Sequence, residues 1–170
     1  MTLGEVPRPL VSELASQIAR LVGAAVARTV PQPRPAYAFN KDRGQYHASA
    51  VLRRLAQLRA GRPETAVLGL TDVDLFVPEL PFVVGDADRD SQSALLSLAR
   101  LGHGCDGRPA PPDRLRHRAL VEGTYQLGLL LGLSPCQDPR CAMHACQRTA
   151  DIDRKGGGFC ITCRAALGLT

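Results

Sequence analysis

Residues 125–143 read YQLGLLLGLSPCQDPRCAM, and residues 156–165 read GGGFCITCRA. The first stretch starts as a leucine-rich helix, stops at Gly132 and runs into Cys136 and Cys141. The second turns through Gly156, Gly157 and Gly158 into Cys160 and Cys163. The four cysteines stand as C-x4-C, an 18-residue spacer, then C-x2-C. A C-x2-C pair delivers two sulfurs from one tight turn, and Zn²⁺ takes four soft ligands in a tetrahedron with arms of ~2.3 Å. The spacing therefore predicts one structural zinc ion on Cys136, Cys141, Cys160 and Cys163. Four cysteines would leave no coordination position open for chemistry. His144 or Cys146 could replace one ligand, and the competing reading is a set of free or disulfide-bonded cysteines. Arg140, Arg154, Lys155 and Arg164 are near enough in sequence to offset the formal −2 of four thiolates on one Zn²⁺.

Upstream of this tail a long helix is expected from about Arg114 to Leu131, with Gly132 as its stop. Leu127, Leu129, Leu130, Leu131 and Leu133 make its end apolar nearly all round, the pattern of a buried helix. Nearer the start, apolar residues from Val11 to Val26 recur at helical spacing, and Pro31, Pro33 and Pro35 break that helix. A second helix is expected from about Gln45 to Arg59. Ala36–Phe39, Thr65–Leu70, Leu75–Val77 and Pro81–Val84 read as short strands, the last two near a sheet edge because Pro78 and Pro81 cannot donate to a ladder. Ala94–Leu101 fits strand or helix. Residues 133–170 read as irregular.

The chain has 170 residues, 45% of them hydrophobic, which suits one compact domain with an aliphatic core, since there is no Trp and little other aromatic content. No apolar run approaches the ~18 residues that span a bilayer. Ala25-Val26-Ala27 imitates a signal-cleavage pattern, but Glu5 and Glu13 precede it and its apolar residues keep helical spacing, so the expectation is a cytoplasmic protein without a membrane segment. In that compartment six cysteines favour metal over disulfides. The net charge of +5 weakly favours anionic partners, yet no dense basic run and no interleaved aromatics appear, which disfavours nucleic acid. Oligomeric state is not legible.

Taken together these segments resemble the archaemetzincins, small zinc metalloproteases whose pattern is H-E-x-x-H-x-x-G-x-x-H-C-x4-C-x-M followed by C-x2-C. Gly132, Cys136, Cys141, Met143, Cys160 and Cys163 match it, with a Met143–Cys160 spacer one residue shorter than expected. Residues 43–46, 68–76, 82–85 and 97–101 also look like family segments, in the right order. The resemblance implies an α/β fold: a metzincin-like mixed, mostly parallel twisted sheet with helices up to residue 132, and a small zinc-bound C-terminal subdomain over residues 133–170. It also implies a Met-turn at Met143 and a substrate edge strand around Pro81–Val84.

The same alignment places Tyr125, Gln126, Leu129 and Pro135 where the family has its three histidines and its glutamate. Leu129 and Pro135 carry no side-chain donor atom, Tyr125 offers at best a phenolate, and an amide cannot serve as general base near neutral pH. Rescue by other residues lacks helical i, i+4 pairing: His117 is followed by Val121, and Glu122 has no histidine beside it. The catalytic set is therefore read as lost, with Leu129 expected to fill the space of the metal. Asp86–Asp90 imitates a calcium loop, but Ser91 and Ser97 stand where glycine and glutamate are needed, so it reads as a solvated acidic turn. Asp72 and Asp74 read as strand-end turn residues, and Cys105 as a buried thiol. The expected function is a non-catalytic zinc-binding relative, with a peptide or protein as the candidate occupant of a vestigial cleft. The alternatives are an active metallopeptidase with atypical ligands and a zinc-stabilised protein or nucleic-acid binding module.

Overall fold

A computed structural model describes every residue except Arg28, Thr29, Pro63, Thr65, Cys105, Gln147 and Thr170; the expectation for Cys105 therefore lies outside the described residues. In chain order the elements are β1 (Thr2–Leu3), α1 (Arg8–Val22), β2 (Pro31–Gln32), a 3-10 turn (Ala36–Ala38), β3 (Phe39–Asn40), β4 (Gln45–His47), α2 (Ala48–Arg59), β5 (Val67–Thr71), β6 (Leu75–Phe76), β7 (Gly85–Asp88), β8 (Ser93–Ser97), α3 (Pro112–Leu130), α4 (Thr149–Ile152) and α5 (Ile161–Ala166).

The main sheet has the order β2-β1-β5-β8-β7. The first four strands are parallel, and β7 closes one edge antiparallel to β8. Strands β5 and β8 are buried along nearly their whole length and read VLGLT and SALLS without alternation, as expected of parallel strands covered on both faces. On one face α2 packs Val51, Leu52 and Leu55 against Leu3, Val67 and Leu95. On the other, α1 and α3 bring Leu10, Leu14, Ile18, Ala119 and Val121 onto Leu70 and Leu96. A small second sheet, β3-β4-β6, flanks the first. The mixed α/β architecture expected from the sequence is present.

Several element boundaries differ from the sequence reading, each for a physical reason. Gln45–His47 begins no helix. It pairs in parallel with Leu75–Phe76, and the Gln45 amide donates to Asp74 (2.9 Å) and to the Pro81 carbonyl (3.0 Å). Pro81–Val84 forms no strand beyond an isolated bridge from Val83 to Leu75. The edge strand is Gly85–Asp88, the acidic segment read as a turn. An edge strand with one solvated face tolerates carboxylates that a central strand would not. Helix α1 ends at Gly23 (φ +65°), short of Val26, because the left-handed C-cap terminates it first. The end of α3 is less enclosed than its leucines suggest: Leu131 is 46% exposed, whereas Arg118, Glu122, Thr124 and Gln126 are buried. Polar burial on α3 has partners that hydropathy does not show. Arg118 forks onto both carboxylate oxygens of Asp153 (2.7 and 2.8 Å) and donates to the carbonyls of Leu101 and His103. The tail adds two short helices, α4 and α5, where irregular structure was expected.

Candidate metal centre

The C-terminal tail folds back on the last two turns of α3 because three contacts hold it there. Thr124 Oγ1 donates to the Gly157 carbonyl (3.1 Å), Gly128 lets the tail approach, and Met143 seats fully buried beneath the helix. A Cβ on Gly128 would lie 2.3 Å from the Met143 sulfur and 3.1 Å from Phe159, so any side chain here would push Met143 out of its place. Gly132 (φ +96°) then reverses the chain toward Cys136.

That reversal and the C-x2-C turn bring the four predicted sulfurs together. Cys136, Cys141, Cys160 and Cys163 have their Sγ atoms all within 4.8 Å of one another. The Cys136–Cys160 and Cys141–Cys163 pairs are 3.7 and 3.8 Å apart. A tetrahedron with ~2.3 Å metal–sulfur arms has edges of about 3.8 Å, so the spacing matches four thiolates around one zinc and is far too long for a disulfide. Backbone N–H groups already point at the sulfurs. Asp138 donates to Cys136, and Met143 and Cys160 donate to Cys141, at 3.3–3.4 Å. These bonds stabilise the thiolate form that a metal requires. A hydrogen bond from the Cys163 backbone helps draw the Cys160 thiol down to about 7, whereas burial pushes Cys141 and Cys163 up. Four such thiols could bind one metal ion, and its charge would offset the burial that otherwise keeps two of them protonated.

His144 and Cys146 stand outside the cluster. His144 Nδ1 meets the Cys136 carbonyl (2.9 Å), and the Cys146 thiol reaches the His144 carbonyl. Lys155, one of only two lysines, faces Cys146 and Glu122 rather than the four clustered cysteines. Its ammonium is buried, donates to the His144 carbonyl (2.7 Å), lies 3.5 Å from Glu122 and sits 5.3 Å above the Tyr125 ring. This Glu122–Lys155 pair ties α3 to the tail, and the sequence reading missed it. The signal available was a helical glutamate one turn before Tyr125, on a face that turned out to meet the tail. Burial raises the Glu122 carboxyl against the pull of Lys155.

The four motif positions form no second centre. Tyr125 and Leu129 pack on the cysteine cluster together with Leu133 and Phe159. Burial, and then Glu122, raise the Tyr125 phenol, which opposes a phenolate ligand. Gln126 is buried against Gly85 of β7, and its Oε1 has no hydrogen-bond partner. Pro135 is exposed. Among the described residues no other group of three or more His, Cys, Asp or Glu side chains converges. The other three histidines join no metal cluster: His47 packs at a tilt on Phe76, His103 Nδ1 meets the Ala99 carbonyl, and His117 keeps Nε2 buried without a hydrogen-bond partner among the described residues. A catalytic zinc of the kind held by three histidines does not fit these residues. Asp74 is engaged by both ends of Arg100 (2.7 and 2.8 Å) and Asp72 by Arg34, as strand-end residues rather than a carboxylate pair.

Comparison with known proteins agrees with this architecture. The sequence profile described as peptidase family M54 matches residues 24–168. The archaemetzincin of Methanocaldococcus jannaschii is 38% identical over 133 residues, covering 78% of this chain and 72% of that protein. The archaemetzincin of Pyrococcus furiosus is 33% identical over 170 residues, 97% of this chain and 88% of that one. Among solved structures, a zinc-dependent peptidase from Methanocorpusculum labreanum superposes with a TM-score of 0.87 at 27% identity, covering 98% of this chain and 97% of its own. The archaemetzincin from Methanopyrus kandleri gives 0.78 at 31% identity, covering 99% and 93%. The chain belongs to peptidase family M54, the archaemetzincins.

Proposed function

We propose that this chain is a non-catalytic archaemetzincin that keeps a structural zinc on Cys136, Cys141, Cys160 and Cys163 and works by binding rather than by hydrolysis. The supporting observation is the contrast between two adjoining segments: the four thiols of residues 136–163 converge at tetrahedral spacing, while Tyr125, Gln126, Leu129 and Pro135 just before them supply no imidazole and no carboxylate. Metal-assisted peptide hydrolysis needs an open metal position and a base for its water, and a four-thiolate site offers neither. The role proposed for zinc is to fix the tail onto α3, as ligand burial couples metal binding to folding. The proposed setting is the cytoplasm; among the described residues no helix is long and apolar enough to cross a membrane. The proposed occupant of a vestigial cleft along the Pro81–Val84 segment is a peptide or a protein segment, held without being cut.

Elemental analysis of protein purified without added zinc tests this reading, with one zinc per chain expected. Two zincs per chain together with chelator-sensitive peptidase activity would sink it. Restoring Tyr125→His, Gln126→Glu, Leu129→His and Pro135→His together should raise the stoichiometry to two if the cleft has kept its shape.

A further inference from the structure

Charge is distributed unevenly along this chain. Residues 31–62 carry seven basic side chains and one acid, Asp42, a surplus greater than the +5 of the whole chain. Helix α2 contains no acidic residue at all. In the fold, a cleft of about 600 Å³ opens between the outer face of α2 and the segment before the 3-10 turn, and Arg34, Arg53, Arg54, Gln57 and Tyr37 line it. Arginines some twenty residues apart in sequence thus share one cavity, which no local basic run announces. Arg34 is engaged by Asp72. Arg53 and Arg54 have no carboxylate within ion-pair distance among the described residues, and Arg54 instead reaches the Gln57 amide oxygen. Tyr37 leaves 58% of its surface in solvent at this cleft.

The anion that fits is narrowed by the neighbouring sheet edge. Strand β2 is the outer strand, and the carbonyls of Val30 and Gln32 are turned inward to β1. The alternate, outward positions are Pro31 and Pro33, which have no N–H to offer. An extended acidic peptide therefore finds half of the ladder missing. A phosphodiester strand needs no ladder. It needs guanidinium groups spaced along a groove and an exposed ring on which a base can stack.

We infer that this cleft binds single-stranded nucleic acid, with Arg53 and Arg54 on phosphates, Arg34 at the inner end and Tyr37 under a base. The site lies apart from the cysteine cluster and stands whether or not the zinc reading holds.

Fluorescence anisotropy of the full chain with a labelled 20-nucleotide oligothymidylate tests it. Two neutralised phosphates give a slope of about −1.4 for log affinity against log salt, or roughly 7-fold weaker binding at 200 mM than at 50 mM NaCl. Arg53→Ala with Arg54→Ala should lower affinity at least tenfold and flatten the slope toward zero. Tyr37→Ala should lower affinity roughly tenfold with the slope unchanged, because stacking releases no counterion. All three substitutions are at exposed positions, and an unchanged melting temperature confirms folding. Absence of binding at 50 mM NaCl, or an Arg53/Arg54 variant that binds as well as the parent, overturns the inference. So does a polyglutamate of equal charge that binds equally well.

Discussion

The cysteine cluster and the end of α3 lie against each other, share Met143, Phe159 and Leu129 as packing residues, and have opposite chemistry. On the tail side all four cysteine positions of the motif hold a metal donor, and backbone N–H groups converge on the sulfurs. On the helix side the motif's Gly132 and the buried Met143 that packs beneath Gly128 are in place, but the side chains that would do chemistry are different. The difference separates two functions that one motif combines. Residues that bend the chain and seat the helix answer to packing, and packing here depends on the tail being held. Residues that grip a catalytic metal answer to chemistry alone, so they can change without disturbing the fold.

The largest effect should come from breaking the tail side. Cys160→Ser removes one of four zinc donors, and structural zinc sites contribute on the order of 10 kcal/mol to the folding of small zinc-dependent units. Even a third of that, at ~2–4 °C per kcal/mol for a domain of this size, lowers the melting temperature by roughly 10 °C. Calorimetry should show this drop together with loss of zinc, and a chelator should produce the same shift in the parent. An unchanged melting temperature would mean that the tail is held by Thr124, Gly128 and Met143 without a metal.

A second way to sharpen the comparison is to cut the polar ties between α3 and the tail. Arg118 is 2% exposed and its fork onto Asp153 connects the helix to the segment after α4. Arg118→Met leaves the part-exposed Asp153 carboxylate to the more distant Arg114 (3.9 Å) and takes the donor from two carbonyls, at a cost of about 2–3 kcal/mol. Arg118 holds the Asp153 carboxyl below its ordinary range, so this contribution is present above the unfolded carboxylate value near ~3.9 and is lost as pH falls through the lower folded value. The acid limb of the stability curve should flatten in the variant. Lys155→Met should cost somewhat less, about 2 kcal/mol at neutral pH, because Glu122 then lacks its counter-charge in a buried position. Burial already raises the Glu122 carboxyl, so the penalty should shrink on acidification as Glu122 takes up a proton.

These ties also mark what the sequence could disclose. The cysteine spacing and Gly132 announced the metal centre, because thiols at fixed offsets and a helix-stopping glycine act locally. The residues alone marked β5 as a short strand but left β8 between strand and helix, so the family pattern carried the sheet. Edge strand β7 was hidden by its aspartates, which suit a turn equally well until β8 is placed beside it. The Glu122–Lys155 and Arg118–Asp153 pairs join residues more than thirty positions apart, and hydropathy made the end of α3 look wholly apolar. The arginine-lined cleft was invisible for the same reason: Arg34 and Arg53 meet only after β2 and α2 are folded.

The smallest expected effect probes the helix side directly. Gln126 stands at the glutamate position, is 4% exposed, and leaves Oε1 buried without a donor. An unsatisfied buried acceptor costs about 1–3 kcal/mol, part of which an apolar side chain of similar shape recovers. Gln126→Met should therefore raise stability by up to about 1 kcal/mol, read as a shift of a few degrees in melting temperature. Gln126→Glu should lower it at neutral pH, since the same pocket would bury an ionised carboxylate, and the loss should diminish at acidic pH as that carboxyl protonates. A catalytic base is retained at the expense of stability because the reaction requires it. If Gln126→Met instead destabilises the protein, the amide at this position is bonded into the structure and cannot be regarded as a remnant of catalysis.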